Sequence, residues 1–245
     1  MVVVAVKYLN TLPMIWGIEQ AAFVSNGLRE GLLLAVPSEC ARLIKAKQAD
    51  ISLVPVAEIP DIEGGQIITD YCISADLYVR TVVLLTNESR LDHVHTIYLD
   101  THSCTSVQLV RILSRELWHI TPQYVDGLPA TLGVGEAMVA IGDKVFDLED
   151  KYRQNIDLAQ SWRELTGLPF VFAAWVARTT QGVAMADELN SAIGYGVSHI
   201  EDAVNSAKDA PADALQYLTY NIKYNLTSAK RLSMELFWEK LQKPG

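Results

Sequence analysis

Val2-Val3-Val4-Ala5-Val6-Lys7-Tyr8-Leu9-Asn10-Thr11-Leu12-Pro13-Met14-Ile15-Trp16 opens the chain, and its reading decides the fold class. The run from Val2 to Val6 is β-branched or small and apolar throughout. Such a strand is buried on both faces, as in parallel sheets covered by helices. Lys7 to Asn10 end the strand. Asn10 or Thr11 can then cap a helix, and Pro13 suits its first turn. Leu12, Ile15 and Trp16 share one helical face and pack back on the sheet. Lys7, Tyr8, Asn10 and Thr11 thus stand where a parallel strand hands over to a helix N-terminus. Ligands of open α/β sheets bind at such places, because unpaired N–H groups and the helix dipole point into the crevice.

The same logic recurs along the chain. Gly31 to Val36 reads as a second buried strand, followed by a helix with Ser38 as N-cap and Cys40, Leu43 and Ile44 on its core face. Ile51 to Val56 is a third strand, so the opening is β-α-β-α-β, a doubly wound pattern. Residues 66–86 read as two strands around the turn Ser74-Ala75-Asp76, and the polar stretch from Asn87 to His93 marks a domain boundary. A strand over Thr96 to Leu99 leads into Thr101-His102-Ser103-Cys104-Thr105-Ser106, with five hydroxyl or thiol groups in six residues. The helix after it carries Val107, Val110, Leu113 and Leu117 on one side. The two together form a second dipole-backed cradle. Glu136 to Ile141 is a strand ending at Gly142-Asp143. Pro169 to Ala177 is an apolar run that crosses back to the first domain, and helices follow over 184–208, 212–220 and 228–241. The expectation is an α/β clamshell of two lobes, residues 1–88 with 178–245 and residues 89–177, holding its ligand between them.

Composition bounds the ligand. The chain has 245 residues, half of them apolar, and a net charge of −9. No basic stripe points to nucleic acid. An anion would have to be held by local dipoles and a few cations against the overall field. Three scattered cysteines without a CxxC suit a reducing compartment, and no metal-ligand spacing appears. No secretory signal and no membrane-spanning segment is read, so a cytoplasmic location is expected.

Lys7-Tyr8-Leu9-Asn10-Thr11-Leu12-Pro13 resembles the SYLNTxP opening of the chorismate dehydratases of the futalosine route to menaquinone. The resemblance continues through Val36-Pro37-Ser38, Leu53-Val54-Pro55, Ser103-Cys104-Thr105-Ser106, Ile141-Gly142-Asp143, the segment from Trp162 to Ala173, and Tyr220 to Leu226. It implies a type II periplasmic-binding-protein-like fold, with mixed, mostly parallel sheets and helices on both faces. It also implies a lyase that removes water from chorismate to give 3-[(1-carboxyvinyl)oxy]benzoate, without cofactor or metal. The sister enzyme acting on cyclic dehypoxanthine futalosine has a histidine where this chain has Gly142. Three departures stand out: Lys7 for serine, Leu77-Tyr78 for Gly-Pro, and Cys104 for a common arginine.

That reaction needs a grip on two carboxylates, fixed donors for developing charge, and a base. Ser38, Ser103, Thr105 and Ser106 at their helix tips are candidate carboxylate anchors. Lys7, Tyr8, Thr11, Ser74 and Gly142 are further substrate-binding candidates, and Asn10 can hydrogen-bond the leaving hydroxyl. Asp143 is the carboxylate placed to act as base, with the substrate's own enolpyruvyl carboxylate as the alternative. Each of these residues also has an ordinary reading as a cap or a turn. A non-catalytic carboxylate-binding protein, the sensory half of a regulator, and an enzyme acting on a related enolpyruvyl acid remain rival readings.

Overall fold

The structure is a computed structural model that describes residues 1–242. Eleven strands run in order: β1 (Val3–Val6), β2 (Leu32–Ala35), β3 (Ile51–Pro55), β4 (Gln66–Ala75), β5 (Val82–Thr86), β6 (Thr96–Leu99), β7 (Gln123–Asp126), β8 (Glu136–Ile141), β9 (Gln154–Asp157), β10 (Phe170–Ala177) and β11 (Lys223–Asn225). The helices are α1 (Leu12–Gln20), α2 (Asn26–Glu30), α3 (Pro37–Lys45), α4 (Thr105–Glu116), α5 (Leu158–Thr166), α6 (Thr180–Ala184), α7 (Ala186–Ser198), α8 (Ile200–Ser206), α9 (Ala214–Gln216) and α10 (Ser228–Leu241).

Two mixed sheets result. The first has six strands in the order β11-β4-β10-β3-β1-β2, and the second has five in the order β7-β6-β8-β5-β9. β1 lies parallel between β2 and β3, with Val3 opposite Leu32 and Ile51. β10 inserts antiparallel between β3 and β4. In the second sheet β6 is parallel to β7 and β8, whereas β5 is antiparallel to β8 and β9. Strands β1, β3, β5 and β10 are buried along their whole length, which is why they read as apolar runs interrupted only by Ser52 and Thr86. Among the described residues, no helix is long and apolar enough to cross a membrane.

Sheet membership puts the two crossings between the lobes at residues 76–81 and 167–169, ahead of the boundaries expected at 88 and 177. β5 therefore belongs with the second sheet and β10 with the first. Both are apolar but for Thr86 at the end of β5, and nothing in such a run marks which sheet will take it. β2 is an edge strand rather than a buried one, with Leu33 50% and Leu34 52% exposed. The helix expected over 184–208 breaks at Met185 and His199 into α6, α7 and α8. The one expected over 212–220 is the single turn of α9 followed by a π-helical turn from Tyr217 to Asn221.

The first lobe is closed by α1 packing on α7 through glycines. A Cβ on Gly17 would lie 2.1 Å from the carbonyl oxygen of Ala192, and one on Gly196 would lie 1.8 Å from that of Pro13. Backbone touches backbone here, so no rotamer change can make room. Beneath the contact, the Trp175 indole N–H points at the Met14 sulfur, 3.4 Å away.

Gly196→Ala is expected to destabilise the protein, although alanine is the better helix former by about 1 kcal/mol. Overpacking of this kind costs about 1–3 kcal/mol. Thermal unfolding would show it as a fall of about 2–4 °C per kcal/mol for a chain of this size.

Candidate functional site

A narrow cleft separates the lobes. The first lobe contributes Val6, Tyr8 and Asn10 from the end of β1, Pro37 and Pro55 from the ends of two further β-α connections, and Ile73, Phe172 and Ala173 from β4 and β10. The second contributes Val79 and Val82, the α4 tip with Ser103, Thr105 and Ser106, and Ile141-Gly142. The carboxyl ends of β1, β3, β6 and β8 thus converge on one apolar slot with a few hydroxyl and amide groups in its walls.

Tyr8 precedes a 3₁₀ turn over Leu9–Thr11 and is held extended, at φ −83° and ψ 159°. Its ring lies against Gly142, where a Cβ would come within 3.0 Å of three ring atoms. Gly142 also sits at φ +71°, a conformation other residues adopt only with strain. The Tyr8 hydroxyl is buried and has no hydrogen-bond partner. Burial, and then the nearby Asp100 and Asp143 carboxylates, push its pKa far above the ordinary phenol value, so it stays a neutral donor. Asn10 is fixed through its backbone, whose carbonyl accepts from the Tyr224 hydroxyl at 3.0 Å. The Tyr217 hydroxyl, 2.6 Å from Thr81 Oγ1, also lies within reach of the Asn10 side chain.

The α4 tip is largely occupied with its own structure. Ser103 Oγ accepts from the Ser106 N–H at 3.0 Å. Thr105 Oγ1 donates to the Phe172 carbonyl and accepts from the Ala57 N–H, both at 3.2 Å, which stitches the second lobe to the first. Asp143 makes a second stitch: its carboxylate accepts the Leu9 N–H at 3.0 and 3.2 Å. A third is the Ser38 N–H donating to the His102 carbonyl at 3.1 Å. Asp143 therefore does the capping expected of Asn10 or Thr11, and it does so from the opposite lobe. Desolvation raises its carboxyl pKa, and the Leu9 N–H offsets this only in part.

The structure brings Tyr8, Asn10, Ser103, Thr105, Ser106 and Gly142 to one cleft, and Lys7, Thr11, Ser38, Ser74 and Asp143 do not line it. Thr11 Oγ1 is turned inward, 2.6 Å from the Val6 carbonyl and 2.8 Å from that of Tyr8, and locks the strand-to-helix turn. Ser74 Oγ donates to the Lys223 carbonyl within the first sheet. Lys7 is exposed. Ser38 lies inside the first turn of α3, whose N-cap is Val36, because Pro37 takes the first helical position. Asp143 is exposed, and its bond to Leu9 fixes the turn between the lining residues Tyr8 and Asn10.

Sequence reasoning missed the brace of the first crossing. Asp157 caps α5 through the Ala159 and Gln160 N–H groups, at 2.9 and 3.1 Å, and also accepts from Val79 at 2.9 Å and Arg80 at 2.7 Å. Arg80, at φ +66°, reaches Glu149 in one lobe and Asp213 in the other. An aspartate ahead of an amphipathic helix signals the cap, but its second set of donors is remote in sequence. Among the described residues, no group of three His, Cys, Asp or Glu side chains is placed to hold a metal.

Comparison with known proteins agrees with this architecture. The sequence pattern of a family described as menaquinone biosynthesis matches residues 1–243. A chorismate dehydratase of Thermus thermophilus is 25% identical over 244 residues, covering 87% of each chain. A crystal structure of a protein from Archaeoglobus fulgidus superposes with a TM-score of 0.75 at 12% identity, over 98% of this chain and 96% of that one. The alkanesulfonate-binding protein of Xanthomonas axonopodis superposes at 0.62 with 10% identity, over 100% and 94%. The periplasmic aliphatic sulphonate binding protein of Escherichia coli superposes at 0.55 with 14% identity, over 100% and 88%. The fold is that of the periplasmic binding proteins.

Because the folded Asp143 carboxyl has a raised pKa, its ionisation subtracts stability as pH climbs from the ordinary aspartate value through the raised one. Asp143→Asn keeps an oxygen for the Leu9 N–H but cannot ionise. Urea unfolding of both proteins should show the variant gaining on its parent as pH rises above the ordinary aspartate value. A difference that shrinks over that rise would contradict the assignment.

Proposed function

We infer that this chain, which belongs to the menaquinone-biosynthesis family, dehydrates chorismate to 3-[(1-carboxyvinyl)oxy]benzoate. In that elimination the ring carbon beside the enol ether loses its proton. The electron pair enters the ring, and the neighbouring hydroxyl leaves as water. Aromaticity drives the step, so the protein has to orient the substrate, stabilise charge and exclude water.

One observation supports this reading above the others: the buried Tyr8 hydroxyl that nothing in the protein satisfies. An orphaned buried donor costs about 1–3 kcal/mol, and a bound carboxylate oxygen removes that cost. Tyr8 is the neutral donor for one acid group of the substrate. Ser106 and the positive end of α4 take the other, and Asn10 holds the departing hydroxyl. The engagement of Asp143 with Leu9 favours proton removal by the enolpyruvyl carboxylate of the substrate itself. Catalysis then takes place between closed lobes in the cytoplasm, with no cofactor.

Purified protein mixed with chorismate should convert it to an aromatic acid one water lighter, followed by ultraviolet absorbance and mass spectrometry. Binding without conversion would instead mark a carboxylate receptor of the same fold. Tyr8→Phe keeps the ring on Gly142 and removes only the hydroxyl. Its melting temperature is expected to equal or exceed that of the parent, while kcat/KM falls roughly 10–100-fold, as for loss of a hydrogen bond to a charged group. Asp143→Asn is expected to lose less than about tenfold, well short of the loss of a general base.

A further inference from the structure

Two buried side-chain polar atoms among the described residues lack a partner, the Tyr8 hydroxyl and Ser114 Oγ. The first lies in the wall of the cleft. The second belongs to a residue only 1% exposed, in the wall of a separate groove on the outer side of α4. That groove has a volume of about 700 Å³ and shares no residue with the cleft. Its floor is the second half of α4, one side is the segment from His119 to Tyr124 leading into β7, and the other is the end of α10.

The groove is cationic in a chain whose net charge is −9. Arg111, Arg115 and Lys240 line it, together with His119. Glu116 is shared by Arg115, at 2.7 Å, and Lys240, so one carboxylate serves two cations. Arg111 forms no ion pair among the described residues. Its guanidinium instead lies over the Tyr124 ring, 4.1 Å from the centroid. That stacking fixes the plane of the guanidinium and leaves its N–H edge for a ligand. His119, at φ +52°, sets its Nδ1 3.3 Å from the Arg115 carbonyl, which orients the imidazole at the groove mouth.

We propose that this groove is a second binding site, for a small, multiply charged oxyanion bearing carboxylate or phosphate groups. Arg111 is its main anchor, with the Ser114 hydroxyl as a neutral donor beneath and Lys240 closing from α10. The site has a mechanical connection to the cleft. α4 presents Thr105 and Ser106 to the cleft and Arg111 to Arg115 to the groove, and a 12-residue helix is a rod of about 18 Å. α10 rests on the first lobe, where the Trp238 indole N–H donates to the Val56 carbonyl at 2.8 Å. Arg115 reaches across to the Lys240 carbonyl at 3.3 Å. An anion seated here draws α4 and α10 together from the side opposite the cleft.

Calorimetric titration with inorganic phosphate and with citrate, each against sodium chloride of equal ionic strength, tests the proposal on the whole chain. At least one of the two is expected to bind with a Kd that weakens tenfold or more in Arg111→Gln and is unchanged in Tyr8→Phe. Which of them binds tells phosphate from carboxylate chemistry. Ser114→Ala is expected to melt no lower than the parent and to bind the same anion more weakly. Heats no larger than those of chloride, or an affinity that Arg111→Gln leaves intact, would overturn the proposal. The measurement needs no turnover, so its result is independent of the chorismate assay.

Discussion

Each lobe completes the backbone hydrogen bonding of the other, and the cleft depends on this exchange. A helix tip brought against another lobe leaves N–H groups that something must accept. Here the acceptors come from across the gap: Asp143 for Leu9, Thr105 Oγ1 for Ala57, and the His102 carbonyl for Ser38. These bonds form only when the lobes are together. They hold Tyr8 and Gly142 face to face, and separating the lobes returns the same groups to water at little net cost. Closure of this kind is reversible because each contact is modest.

Charge is handled without cations in the cleft. The walls hold phenol, amide and hydroxyl groups, and the positive potential comes from the α4 dipole. Arginine and lysine gather instead at the crossing, where Arg80 joins Glu149 to Asp213, and along the outer face of α4. A slot of neutral donors discriminates by position. It suits a reaction whose charge moves between substrate oxygens, since no fixed cation traps the charge at one of them.

Much of this was legible in the sequence where one residue type has one use. The strand within Val2–Val6 and the Ile141-Gly142 turn stand where the pattern put them. The readings that moved share a cause. Serine, threonine and asparagine serve equally as caps, locks and ligands, and the choice depends on partners remote in sequence. Thr11 turned inward to Val6, Ser74 bonded to Lys223, and Asp143 took the cap because it arrives from the other lobe. The crossings shifted for a similar reason: β5 and β10 are apolar on both faces and fit either sheet by composition.

The place of β10 bears on how the chain is made. It is the third of six strands across the first sheet, between β3 and β4, yet it comes after every strand of the second sheet. During synthesis β3 and β4 emerge with their inner edges unpaired and stay so until residue 177 has left the ribosome. The second lobe is one continuous stretch and can fold in that interval, as domains do while they are made. For that time β3 presents an apolar edge, and β4, whose other neighbour β11 is made later still, has no partner on either side, so both are open to pairing with another chain. This interval, more than any weakness of the finished molecule, is where misassembly would begin.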